Sequence, residues 1–140
     1  MRLELTKRGD YAVRAMLALA RAEGTGLLSA RRIAEAMDIP VRFLPQALGD
    51  LGRAGLVEAA PGRAGGYRLA RDASSISLLD VIEAVEGDSR RQSCVLRGGP
   101  CGRDGFCDVH EVFFAGQERL LEHFARSMLS DLASPATDLA

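Results

Sequence analysis

Residues 10–70 are punctuated in a way that admits few folds. A helical pattern over 10–22 carries Tyr11, Ala15, Leu19 and Ala22 on one stripe, with Asp10 placed to cap it and Gly24-Thr25-Gly26 to stop it. Ser29 stands where an N-cap belongs before Arg31-Arg32-Ile33-Ala34-Glu35-Ala36-Met37, a short second helix. Asp38-Ile39-Pro40 makes a turn. A third helix then runs over 41–54, with Phe43, Leu44, Leu48 and Leu51 as its apolar side and Gly55 at its C-terminal end. Three short helices in this order, the last two joined by a tight turn, form a helix-turn-helix pattern. Segments 56–60 and 67–70 alternate as strands around Pro61-Gly62-Arg63-Ala64-Gly65-Gly66, and a hairpin directly after the third helix is a wing.

The rest of the chain adds two helices and a loop. Ser77-Leu78-Leu79-Asp80 reads as a capping box opening a helix that runs to residue 86 and stops at Gly87. Asp108 is placed to cap a last helix over 109–129, about 30 Å long at roughly 1.5 Å per residue. Its Val112, Phe113, Leu120, Leu121, Phe124, Met128 and Leu129 offer more apolar surface than so small a domain covers alone. Either the helix packs back on the first helix, or it pairs with its copy in a homodimer; the second is favoured because two-fold operators match two-fold proteins. The expected fold is therefore mainly α with a small β-wing. It divides into a winged helix-turn-helix DNA-binding domain at 1–87, a loop at 88–108, a dimerisation helix at 109–130 and a tail at 131–140.

Composition narrows the function. With 47% hydrophobic and 26% charged residues the chain is that of an ordinary globular protein, and the absence of Trp leaves an aliphatic core. No apolar run approaches the ~18–20 residues that span a bilayer, and Met1-Arg2-Leu3-Glu4 puts an acid where a signal peptide would turn apolar; a soluble, cytoplasmic protein with no membrane partner is expected. The net charge of −1 conceals an asymmetry: residues 1–70 hold 11 basic and 7 acidic residues, residues 71–140 hold 7 and 12. The basic half is the helix-turn-helix half, and double-stranded DNA is the partner that fits it. Arg63 and Arg68 place charge on the wing, whose glycines let backbone approach a phosphate. Lys7 and Arg8 precede the first helix and are candidates for backbone contacts. Arg42 and Gln46 face outward by the period that buries Phe43, Leu44 and Leu48, and are candidates to read bases. No nucleophile-base-acid constellation, phosphate-binding Gly motif or HExxH motif is present, and the only imidazoles are His110 and His123, so the chain is not expected to be an enzyme.

The chemistry sits in one cluster, Cys94-x6-Cys101-x5-Cys107-x2-His110. Thiolate and imidazole are ligands for soft or borderline metals and for iron-sulfur clusters, which ordinarily take four protein ligands. Three cysteines leave one over from any disulfide framework. Gly98, Gly99, Gly102 and Gly105 let the loop wrap an object and aim N–H groups at it. Zinc takes the same donor set, but its structural sites use closer cysteine pairs than these. A reversible thiol switch and three free thiols also remain open. The wide spacing favours a cluster.

With Met1-Arg2-Leu3, Asp10-Tyr11-Ala12-Val13-Arg14-Ala15-Met16, Gly65-Gly66-Tyr67, Asp72-Ala73-Ser74-Ser75-Ile76 and the three-cysteine loop, nearly the whole chain resembles the Rrf-type winged-helix regulators, the family of the iron-sulfur regulator IscR and the nitric oxide sensor NsrR. The resemblance implies a homodimer, a palindromic or partly palindromic operator, and a cluster held in the loop before the dimerisation helix. It implies that Cys94, Cys101 and Cys107 hold a 2Fe-2S cluster with His110 completing the site. In NsrR-like members an acid matching Asp10 reaches a 4Fe-4S cluster from the other subunit, with a basic residue matching Arg14 close by. The first cysteine interval here is one residue longer than the family's usual five. Gln46 is similar to a base-reading Gln of IscR, whereas Pro45 replaces the neighbouring Glu; losing that backbone donor either kinks the helix or shifts its start, and a different operator is expected. The implied function is a transcriptional regulator whose operator affinity is controlled by a cluster sensing redox state, nitric oxide or iron-sulfur status. The alternative is a zinc-stabilised or thiol-switched winged-helix regulator or adaptor.

Overall fold

The computed structural model describes residues 1–102 and 105–133; most of the tail at 131–140 lies outside them. Among the described residues, six α-helices, two 3₁₀ turns and one hairpin surround a single core. Helix α1 (Lys7–Arg21) lies across it with Ala12, Ala15, Met16 and Leu19 buried. Its N-cap is Thr6, not Asp10: the Thr6 hydroxyl accepts from the Gly9 N–H at 3.1 Å. Both residues are capping types. Thr6 wins because Glu86, 80 residues away, accepts from its N–H and its hydroxyl, each at 2.9 Å. Asp10 instead receives two bonds from Arg14 one turn on, at 2.8 and 2.7 Å.

Helix α2 (Ala30–Met37) is capped by Ser29 as expected, and ends at Asp38 in the left-handed region, φ 54°. Arg14 donates to the Met37 and Asp38 carbonyls at 3.3 Å each, clamping the turn to α1. A 3₁₀ turn, Val41–Phe43, comes next, and only then α3 (Leu44–Arg53). Pro45 sits in the first turn of α3, where its missing N–H has no intrahelical partner to lose; it shifts the start of the helix instead of kinking it. Leu44, Ala47, Leu48 and Leu51 are buried. Phe43 is not core: it is 39% exposed, because the tighter 3₁₀ turn rotates it off the α-helical stripe.

Strands β1 (Val57–Ala60) and β2 (Gly66–Leu69) pair antiparallel, from Val57 opposite Leu69 to Ala60 opposite Gly66. Tyr67 and Leu28 exchange backbone bonds at 2.7 and 2.9 Å, fastening the hairpin to the α1–α2 connection. The wing glycines answer to this packing. A Cβ on Gly65 would overlap the Ala60 carbonyl oxygen and lie 2.8 Å from the Pro61 carbonyl, and one on Gly66, at φ 154°, would lie 2.5 Å from the Leu28 oxygen. Gly66→Ala is therefore expected to lower stability by about 1–3 kcal/mol or more, read as a lower denaturation midpoint; an unchanged midpoint would show that the wing does not rest on Leu28.

Helix α4 (Leu78–Glu86) carries the full capping box between Ser77 and Asp80 and ends at Gly87. Helix α5 (His110–Arg126) differs from expectation at both ends. Asp108 does not cap it; Val109 precedes it with no side-chain cap, and the His110 N–H donates to the Cys107 carbonyl at 3.0 Å. The helix stops at Arg126, and Ser127 and Met128 run extended beside residues 76–78: the Leu129 N–H bonds the Ile76 oxygen at 2.9 Å and the Leu78 N–H bonds the Ser127 oxygen at 2.8 Å. Helix α6 (Leu129–Leu132) follows. Leu129, expected on an exposed helix face, is fully buried in the core that contains Met16, Ile33, Leu44, Leu51, Ile76 and Val81. No described helix is long and apolar enough to cross a membrane.

Candidate functional site

The cysteine loop leaves α4 at Gly87 and is fastened to α5 as it departs. Arg90 makes two bonds to the Glu118 carboxylate at 2.9 and 3.3 Å, and the Arg91 N–H donates to Gln117 at 2.8 Å. Gly98, Gly102 and Gly105 all take positive φ, which only glycine adopts freely, and they turn the loop back on itself. Gly99 is needed for another reason: a Cβ there would overlap the Cys94 side chain.

These turns gather the three cysteines. Their sulfurs all lie within 4.8 Å of one another, half-buried, and none is in a disulfide. Cys94 and Cys107 are 3.8 Å apart, and Cys101 accepts from the Cys107 N–H at 3.3 Å. His110, the first residue of α5, approaches the group at one edge, its Nδ1 3.9 Å from the Cys101 sulfur. A backbone N–H at Leu96 stabilises the Cys94 thiolate and lowers its pKa below the usual thiol value. The Cys107 N–H pulls Cys101 the same way, but desolvation and the adjoining Cys107 and Cys94 thiols outweigh it and push Cys101 up. Cys94 is thus the easier of the two to ionise, and the thiolate is the form that ligates metal and attacks disulfides. Two aromatic neighbours that cysteine and histidine spacing does not reveal flank the imidazole. Phe106 stacks on the His110 ring at 3.9 Å and 5°, and Phe114 lies at 6.0 Å and 13°. Phe114, four residues on along α5, has helical spacing as its signal; Phe106 lies in the loop and has none.

The residues expected at DNA belong to the winged-helix unit. Gln46 stands exposed on α3, Arg63 is exposed at the hairpin tip, and Lys7 opens α1, also exposed. Arg42 lies in the 3₁₀ turn with its guanidinium 4.8 Å from the Phe43 ring centroid. Two of the expected arginines already hold carboxylates. Arg68 bonds Glu58 across the hairpin at 3.0 Å, and Arg8 bonds Asp50 of α3, which also binds Arg53. The Arg8 bond, with help from Arg53, holds the Asp50 carboxyl below the usual carboxylate range although desolvation opposes it. Asp50 therefore ties α1 to the helix expected to read DNA, a link that local sequence does not record.

A winged helix-turn-helix followed by a three-thiol loop and a trailing helix defines a class, the winged-helix transcriptional regulators. The Rrf2 family, described as iron-dependent transcriptional regulators, matches residues 5–135. The HTH-type transcriptional regulator IscR of Klebsiella pneumoniae (strain 342) is 36% identical over 132 residues, covering 94% of this chain and 80% of that one. IscR of Cereibacter sphaeroides is 44% identical over 86 residues, covering 60% and 56%. Among solved structures, CymR, the global cysteine regulator of B. subtilis, superposes with a TM-score of 0.84 at 28% identity over 98% of this chain and 100% of that one. T. potens IscR gives 0.76 at 28% over 99% and 93%, and the oxidized form of Staphylococcus aureus CymR gives 0.74 at 26% over 97% and 100%. The chain belongs to the Rrf2 family and is a transcriptional regulator, not an enzyme.

Proposed function

We propose that this regulator binds its operator as a homodimer and that an iron-sulfur cluster, held by Cys94, Cys101, Cys107 and His110, sets its operator affinity. The observation that carries the reading is the convergence of the donors: three sulfurs within 4.8 Å of one another, and His110 Nδ1 3.9 Å from that of Cys101. Three thiolates and one imidazole make up the four protein ligands that an iron-sulfur cluster ordinarily takes. Bound there, the cluster supplies a centre that oxidants and nitric oxide attack. The chain's own residues do the rest: the Cys107 N–H donates to the Cys101 sulfur, Gly99 lets the loop close on Cys94, and Phe106 and Phe114 hold the His110 ring.

Helix α4, from which the loop leaves, packs on α1 and α3, and two polar contacts reinforce that path. Glu86, the last residue of α4, holds the cap of α1, and Arg8 of α1 holds Asp50 of α3. A rearrangement of 88–110 reaches the recognition helix this way, and a coupling of about 1–3 kcal/mol changes operator affinity roughly 5- to 150-fold. Arg42 and Gln46 supply base contacts; Lys7, Arg8, Arg63 and Arg68 supply phosphate contacts, with Arg8 and Arg68 shared with Asp50 and Glu58. The dimer forms through the N-terminal half of α5, where Val112 is 72%, Phe113 41% and Phe114 50% exposed, an apolar face that a second copy covers.

Of two other readings, the structure weighs against one and a likeness favours the other. The partner's Asp10 completes a 4Fe-4S site only by giving up the Arg14 clamp, which is why His110 is preferred. The likeness to CymR, oxidized form included, supports a thiol switch in which a peroxide or a small-molecule disulfide takes two electrons and two protons from Cys94 and Cys107, which join as a disulfide. The deciding test is anaerobic purification with iron and sulfide counted per chain. About two irons are expected; about four select Asp10. Colourless protein after reconstitution overturns the cluster and leaves thiol or zinc control, which metal analysis separates.

A further inference from the structure

Phe43 is an anomaly in this fold. It is a large aromatic side chain, 39% exposed, at the leading edge of the recognition helix, where the periodicity asks for a core residue. It stacks on Tyr11 of α1, centroids 5.5 Å apart and planes within 17°. Tyr11 has the Arg14 guanidinium 5.8 Å from its own centroid. Arg14 is in turn locked by Asp10 and by the Met37 and Asp38 carbonyls, so the stack is anchored in the turn of the helix-turn-helix. Its other end is Arg42, 4.8 Å from the Phe43 centroid. Arg8, Arg14, Arg53 and Arg68 of the same unit each bind a carboxylate. Among the described residues Arg42 has neither an ion pair nor a hydrogen bond; its neighbour is a ring.

That difference matters chemically. A carboxylate holds a guanidinium by consuming the planar N–H fork, whereas an aromatic face holds the plane and leaves the fork free. The free fork matches the O6 and N7 acceptors of guanine in the major groove. We infer that Phe43, backed by Tyr11, is a positioning residue that holds Arg42 ready to read a guanine. The inference rests on Arg42 being a base reader, as proposed above.

The test is selection of duplexes from a random pool by the full-length protein, followed by fluorescence anisotropy on the selected duplex and on a random duplex of equal length. Wild type is expected to enrich a guanine that Arg42→Ala no longer prefers, with discrimination at that position falling about 5- to 150-fold. Phe43→Leu is expected to lose about 2- to 5-fold at the same position and nowhere else, with random-duplex affinity unchanged, and Phe43→Tyr to restore it. If Arg42→Ala abolishes the preference while Phe43→Leu keeps it in full, the platform is wrong and the base reader stands. Equal weakening of both duplexes by Phe43→Leu also overturns the platform, since a merely structural role predicts that result. If Arg42→Ala leaves every base preference intact, the reading beneath the inference fails instead.

Discussion

Leu129→Ala should lower the stability of this protein by about 2–5 kcal/mol, the cost of emptying a fully buried leucine site. The residue lies beyond the end of the long helix, yet its side chain joins the core formed by α1, α3 and residues 76–81. Its backbone is held as well, through the bond from its N–H to the Ile76 carbonyl. Denaturant unfolding at several protein concentrations checks the claim. A core residue changes the midpoint by the same amount at every concentration. A residue at the surface between copies would instead give a loss that grows on dilution, with dissociation preceding unfolding. That second pattern would place Leu129 in the dimer contact and contradict the packing described here.

Cys101→Ala should separate the two halves of the molecule. The expected product is a folded, colourless protein that has lost its iron and sulfide and whose operator affinity no longer answers to cluster loss or oxidation. Its unfolding free energy should stay within about 0.5 kcal/mol of the original apoprotein, because all three cysteines lie outside the buried core cluster. The geometry gives the reason for choosing this residue: Cys101 is the sulfur that stands beside His110, so its loss removes the donor that links the imidazole to the other two thiols. Retention of two irons per chain would remove Cys101 from the ligand set. An unfolded variant would make the loop a structural element, and the sensor reading would fall with it.

The contrast between these variants follows from how differently the two regions are written in the sequence. Ser29 and the Ser77–Asp80 capping box were legible because their bonds close within three residues. The wing was legible from its glycines, although Gly65 and Gly66 are also required by the close approach of the Ala60, Pro61 and Leu28 backbone, which local sequence does not record. The cysteine cluster was visible from ligand type and spacing alone. The convergence of its three sulfurs to within 4.8 Å was not, because that depends on the turn that carries Cys107 back to Cys101 and Cys94.

What local chemistry sets, the sequence determined by itself: the helix-turn-helix, the hairpin, the helix opened by Ser77, and a loop whose thiols and imidazole suit a metal. What depends on partners far along the chain, only the tertiary structure decided. Thr6 caps α1 in place of Asp10 because Glu86 reaches it from the other end of the DNA-binding unit. Phe43 leaves the core because a 3₁₀ turn sets it against Tyr11, and the last helix ends at Arg126 because residues 127–129 find backbone and core partners at 76–78. Periodicity measures burial only along one continuous helix, and each of these residues lies where a helix begins or ends.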